Sequence, residues 1–248
     1  MTQAVLVLTF LFLALFVVLI VYFTRRISTG PGVILRHINA FERLKGFTAR
    51  AVETGRMFHL SLGLGGVANE TTADTLAGLS VLGYLARQAA ATGATPTISM
   101  ADPTAMLFAQ NALQAAYTDD LNGLEEAYHH TQWIASRPAA YAAGVMNILQ
   151  RDTTEANVMV GNFGDEYLLM GETAARRGLT HVGGASNPNT LPFIYVSADE
   201  TLLGEEIYAA GAYLQKSPVH IGSLAAQDAM RWLITLIIFG GILVATLG

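Results

Sequence analysis

Apolar residues follow three rhythms along this chain. The first is unbroken. Residues 4–23 read AVLVLTFLFLALFVVLIVYF and residues 232–248 read WLITLIIFGGILVATLG, neither with a charge. A bilayer core takes roughly 20 apolar residues of helix, with about 17 as the lower limit. The first run therefore reads as a retained membrane anchor. A cleaved signal would need a basic start, a shorter apolar stretch and a small-residue cleavage site. The chain instead opens Met1-Thr2-Gln3 and runs through Tyr22-Phe23-Thr24 into Arg25-Arg26. The second run is shorter and holds Gly240-Gly241. It reads as a second spanning helix or as an apolar tail buried between subunits.

The second rhythm is helical. Behind a breaker at residues 27–32, STGPG with its flanks, the residues Ile34, Ile38, Phe41, Leu44 and Phe47 recur at steps of three or four, with Arg36, Arg43, Lys45 and Arg50 between them. This predicts an amphipathic helix over 33–56. Either it packs on a domain, or it lies on the inner leaflet with its basic residues toward lipid headgroups.

The third rhythm is a short apolar run closed by small residues and followed by a helix. Runs at 57–62, 97–100, 157–160, 180–182 and 193–196 predict strands. Helices are expected over 71–91, from Asp102-Pro103 to Tyr117, over 121–134, over 139–149, from near Asp165, and after Glu200 through Leu214. Such alternation implies an α/β fold: a Rossmann-like three-layer domain with a mostly parallel sheet, flanked by N- and C-terminal transmembrane helices. The expected division is an anchor at 1–26, a juxtamembrane amphipathic helix at 27–56, a cytoplasmic α/β domain at 57–222 and a C-terminal transmembrane helix at 223–248.

Charge adds a direction. Arg25, Arg26, Arg36, Arg43 and Lys45 follow the first apolar run and none precedes it; Arg231 stands just before the second and none follows. By the positive-inside rule the middle of the chain faces the cytoplasm and both termini face away from it. A net charge of −5 argues against a nucleic-acid partner. The absence of cysteine excludes disulfides, thiolate catalysis and Cys-ligated metals.

In open parallel sheets ligands bind beyond the carboxyl ends of the strands. That edge would carry Gly63–Gly66, Ala101-Asp102, Gly161–Asp165, Gly183–Asn187 and Ser197–Glu200. The candidate ligand-binding residues are Gly63, Gly65, Gly66, Asp102, Gly161, Asn162, Asp165, Gly184 and Asn187. The plainer reading is that these glycines close strands and make turns. Gly63-x-Gly65-x-x-Ala68 resembles the dinucleotide fingerprint. However, the next helix starts late, and the acidic Asp102 lies well beyond the usual spacing of roughly 20 residues. With no lysine in these loops, an anion would rest on backbone donors. Valine at position 65 is expected to block a ligand while leaving the sheet largely intact.

Other motifs are thinner. Glu126-x-x-His129 is a single copy of a spacing that di-iron bundles need twice, so Glu125, Glu126, His129 and His130 read as a solvated face and no metal is assigned. Asp165 and Glu166 at a helix start fit the helix dipole, with an acid/base role as the alternative. Neither a P-loop nor a GxSxG elbow is present. No cofactor and no catalytic residue is assigned.

SLGLGG at 61–66, LAGLSVLGYLARQAA at 76–90, YAAG at 141–144, NVMVGNFGDE at 157–166, LLGEEIYAAGAYL at 202–214 and SLAAQDAMRW at 223–232 together resemble an uncharacterised family of bacterial membrane-anchored proteins. The resemblance implies a bacterial cytoplasmic membrane and one continuous domain, and it lends no activity. The expected partners are the lipid bilayer and further copies of the chain or other membrane subunits. The expected function is assembly, scaffolding or ligand sensing. The alternative is an enzyme acting on a small molecule or nucleotide at the glycine-rich strand ends.

Overall fold

The computed structural model describes residues 3–30, 35–151 and 153–247. The chain divides into two compact units, one of residues 1–36 with 211–248 and one of residues 37–210.

In the first unit, α1 (Gln3–Thr29) and α11 (Pro218–Leu247) are long apolar helices that pack on each other. At 27 and 30 residues, each runs about 40 Å or more at 1.5 Å per residue, past the ~30 Å hydrocarbon core. Both are long and apolar enough to cross a membrane. The C-terminal helix thus begins well before the apolar run at 232–248.

The second unit is a six-stranded sheet in the order β3-β2-β1-β4-β5-β6, every pair parallel. The strands are β1 (Met57–Gly63), β2 (Pro96–Met100), β3 (Thr131–Trp133), β4 (Thr154–Asn162), β5 (Thr180–Ala185) and β6 (Glu200–Leu203). Between them run α4 (Thr72–Thr92), α5 (Pro103–Ala116), α6 (Leu121–His129), α7 (Pro138–Leu149), α8 (Tyr167–Arg176) and α9 (Leu191–Ser197). This is the doubly wound α/β order, in which the chain works outward from β1 to one edge and then crosses back to β4. Met159 of β4 and Ala185 of β5 pack with Tyr141, Val145, Tyr167 and Met170 of α7 and α8. On the other face, α4 packs on β1 and β4.

That second face is completed by the helices before β1. The predicted single helix is broken at Gly46 into α2 (Asn39–Lys45) and α3 (Phe47–Thr54), where the Gly46 N–H donates to the Arg43 carbonyl at 3.1 Å. Of the predicted seam, Phe41, Leu44 and Phe47 are buried, with Ala51 beside them. α2 packs on β5 and β6, and α3 on β1 and β4. Ile34 lies outside the described residues.

Three predicted elements need correction. Residues 193–196 are helix α9 and not a strand: Thr190 and Pro192 open a helical turn, and of the FIYV run only Ile194 is buried while Tyr195 and Val196 are exposed. The last strand is β6, where a helix was expected, and it passes into a 3-10 turn at Gly204–Ala209 and α10 (Ala210–Leu214). The helix expected over 121–134 stops at His129, and Thr131–Trp133 form the short edge strand β3.

Candidate functional site at the carboxyl edge of the sheet

The strand order reverses between β1 and β4, so the crevice beyond their carboxyl ends is the default ligand position of this fold. Gly63 ends β1 with φ +79°, a conformation that favours glycine. A side chain there would run into the Asn162 carbonyl at the end of β4. The Leu64 N–H donates to that carbonyl at 2.8 Å. The two strand ends are thus stitched together where the crevice would open.

The loop after Gly63 is also tied to itself and to α5. The Gly66 N–H donates to Thr71 Oγ1 (3.0 Å), the Val67 N–H to Thr104 Oγ1 (2.8 Å), the Asn69 N–H to Thr72 Oγ1 (3.0 Å) and the Thr71 N–H to Asn69 Oδ1 (2.9 Å). These donors, which a pyrophosphate would need, are therefore already used. A Cβ at Gly65 would stand 2.5 Å from Thr75 Oγ1, and one at Gly66 would stand 2.6 Å from the Asp102 carboxyl carbon. Valine at 65 would consequently press on Thr75 of α4 as well as on any ligand.

Asp102 caps α5, accepting from the Thr104 N–H at 2.7 Å. Its carboxylate faces Gly66, which sets a negative charge beside the would-be phosphate loop. Asp74, buried in the first turn of α4, gathers the neighbouring ends: Oδ2 accepts from Asn162 Nδ2 (3.0 Å), and Oδ1 accepts from Ser186 Oγ (2.7 Å) and Tyr208 Oη (2.6 Å). Burial and the adjoining Asp74 carboxylate raise the Tyr208 phenol above its usual range.

The predicted residues thus fall into groups. Gly63, Gly65, Gly161 and Asn162 meet at the β1–β4 junction, and Gly66 meets Asp102. Asn187 donates from Nδ2 to the Phe163 carbonyl at 3.2 Å. Gly184 lies inside β5, paired with Val160 and Leu202, because the strand extends to Ala185. Asp165 is exposed, whereas Glu166 is buried and accepts from the Gly164 N–H at 2.8 Å. Ser197–Glu200 sit at the opposite edge, since Glu200 begins β6. There the Asp199 carboxylate accepts from the His181 N–H at 2.8 Å.

A second polar constellation lies within the core. Asn157 Oδ1 is 2.7 Å from His59 Nδ1, and Asn157 Nδ2 is 2.9 Å from His181 Nδ1. His59 Nε2 reaches Ser99 Oγ (2.8 Å), His181 Nε2 reaches the Tyr167 hydroxyl (2.9 Å), and the Tyr141 hydroxyl meets Ser61 Oγ (2.7 Å). The chain of bonds crosses β2, β1, β4 and β5 and ends on α7 and α8. Burial lowers both imidazoles from 6.5 to about 4, opposed at His59 by the Asn157 side chain and at His181 by the Asn157 backbone carbonyl, 3.3 Å from Nδ1. Burial also lifts the Tyr141 phenol to about 12. These groups are neutral and enclosed, so they order the sheet and do not reach a substrate.

Asp74, Tyr208 and the histidine pair were missed in the sequence. The available signal was a polar residue inside each strand run: His59 in MFHLSL, Asn157 in NVMV and His181 in THV. A buried polar side chain in such a run needs a partner.

Residues 2–248 match the family described as a domain of unknown function, DUF6754. The chain belongs to that family. No curated protein and no solved structure matches it. Among the described residues, no group of histidine and carboxylate side chains could hold a metal ion. The carboxyl edge of this chain's sheet therefore carries hydrogen-bonded carboxylates, hydroxyls and amides.

Proposed function

We propose that this DUF6754 chain is a non-catalytic, membrane-anchored module that assembles with further copies of itself or with other membrane subunits. Its sheet unit faces the cytoplasm of a bacterium, and both apolar helices span the inner membrane. The observation that supports this reading is the hydrogen bonding around the switch point. Gly63 and Asn162 pair at the switch point, and the 64–71 loop donates its Gly66 and Val67 N–H groups to Thr71 and Thr104, beside the Asp102 carboxylate, which leaves fewer free donors for an anionic ligand. The surface supports assembly as well. α5 carries no charged residue, yet Leu107 and Phe108 on it are exposed, whereas a solvated helix face is ordinarily charged. An uncharged face brings no like-charge repulsion when copy meets copy.

The test is the mass of the full chain purified from membranes in detergent, with a panel of nucleotides added to a thermal-unfolding assay. Assembly predicts a particle of several 26.5 kDa chains, or the chain with co-purified subunits, and no nucleotide-dependent shift. A lone monomer overturns it. Reporter fusions at each end and at Gly178 check the orientation; a cytoplasmic signal from either terminus overturns that part.

One observation favours a second reading, in which the edge senses or converts a small molecule. Tyr208 is exposed while its hydroxyl is held on buried Asp74. An uncharged polyol that stabilises the wild type and fails to stabilise Tyr208→Phe would favour this reading over assembly alone.

A further inference from the structure

α1 has two faces. Phe23, Thr24 and Ile27 are half-buried toward α11, and a Cβ at Gly222 would come within 2.5 Å of Thr24 Oγ1 and 2.8 Å of its backbone nitrogen. The opposite face is open. Val17, Val18, Val21 and Tyr22 are 52%, 62%, 47% and 55% exposed, and Arg25 and Arg26 continue the same face. With Thr29, these six side chains line a shallow open groove of about 480 Å³ along one helix face. Neither arginine has a carboxylate partner among the described residues.

The groove is therefore ordered along the helix axis. Branched aliphatic side chains come first, then one amphipathic ring, then two guanidinium groups about 12 Å from the start. A phospholipid has the same order of acyl chain, ester region and phosphate. Tyrosine favours the membrane–water interface, and guanidinium binds phosphate oxygens in a bidentate fork. Two adjacent cationic groups favour a headgroup of net negative charge over a zwitterionic one. The same pair of charges disfavours a second copy of α1 in a two-fold arrangement, because it would set like charges face to face.

We propose that this face of α1 binds an anionic phospholipid, with its acyl chain along Val17, Val18 and Val21 and its phosphate on Arg25 and Arg26. The site rests on the reading of α1 as a membrane-spanning helix.

The test uses the full chain in vesicles of phosphatidylcholine alone and of an equal mixture with phosphatidylglycerol, followed by detergent release and native mass spectrometry of retained lipid. Retained phosphatidylglycerol is expected to exceed phosphatidylcholine. The preference should fall about fivefold for each arginine removed in Arg25→Gln and Arg26→Gln, while the double lysine variant keeps most of it. Equal retention of the two lipids overturns the site, as does an undiminished preference in the double glutamine variant. Because the chain has no cysteine, Val18→Cys reports a second copy directly, and a disulfide-linked dimer in the mixed vesicles would assign the groove to protein. Release of the wild type by an alkaline wash would instead overturn the membrane reading, and with it the site. That result is distinct from an embedded chain without lipid preference.

Discussion

Asn157 Oδ1 stands 2.7 Å from His59 Nδ1, and the other end of the same carboxamide meets His181 Nδ1 at 2.9 Å. An amide has one accepting and one donating end. The shorter carboxamide contact takes precedence over the 3.3 Å approach of His181 Nδ1 to the Asn157 carbonyl, so one histidine gives a proton to Asn157, the other takes one, and the two neutral rings carry opposite tautomers. Nitrogen-15 NMR of the detergent-solubilised chain should show one buried ring protonated on Nδ1 and the other on Nε2. Two rings of the same tautomer would contradict the bridge.

The same pair sets an acid limit on stability. Both rings fall from 6.5 to about 4 on folding, because burial disfavours the charged form. Between these values the unfolded chain binds more protons than the folded one, so stability rises with pH across the window and is lost as pH falls through it. The loss is complete below about 4 and amounts to roughly 3 kcal/mol for each ring. Thermal unfolding should therefore show a midpoint that drops between pH 6.5 and 4. Replacing His181 with Gln should flatten that drop while lowering the midpoint at neutral pH. An unchanged acid slope in the variant would remove His181 from the account.

The strand runs at 57–62, 97–100, 157–160 and 180–182 were legible because strands buried on both faces read as continuous apolar segments. FIYV at 193–196 has the same composition and is α9, since a short apolar run carries no period that separates strand from helix. The deciding signal was local: Thr190 and Pro192 are residues that start helices. β3 was illegible for another reason, as a three-residue edge strand leaves no pattern of its own. At the site, the glycines announced where β1 and β4 end. Whether the space beyond was open depended on Asp74, Thr75 and Asp102 arriving from elsewhere in the chain, and no local pattern encodes that.

The stitched β1–β4 junction predicts a contrast between two glycines. Gly63 and Gly93 have φ of +79° and +76°, so alanine is strained at both, at about 1–2 kcal/mol each. Around Gly93 nothing lies within 4 Å of an added Cβ, whereas at Gly63 the Asn162 carbonyl and the Phe163 ring stand in the way. Gly93→Ala should therefore lower the unfolding midpoint modestly. Gly63→Ala should lower it well beyond that, or prevent accumulation of folded protein. Equal midpoints for the two variants would mean that β1 and β4 separate at little cost, and that the crevice can open.

Asp74 holds α4 to the ends of β4 and β5 and to the 3-10 turn through Asn162, Ser186 and Tyr208. Removing the carboxylate in Asp74→Ala leaves three polar groups without their acceptor. Each lost partner costs on the order of 1 kcal/mol where water can replace it, and more where it cannot. Asp74→Asn keeps one accepting oxygen, the end that Ser186 and Tyr208 share, but turns its NH₂ end toward the Asn162 amide. The expected order of thermal stability is wild type, then Asp74→Asn, then Asp74→Ala. The Tyr208 phenol supplies a second readout. The adjoining carboxylate raises its pKa, so absorbance titration should place that pKa lower in Asp74→Asn than in the wild type. An unchanged Tyr208 titration would show that the phenol and the carboxylate do not meet in solution. The edge would then be looser than the bonded arrangement on which the assembly reading rests.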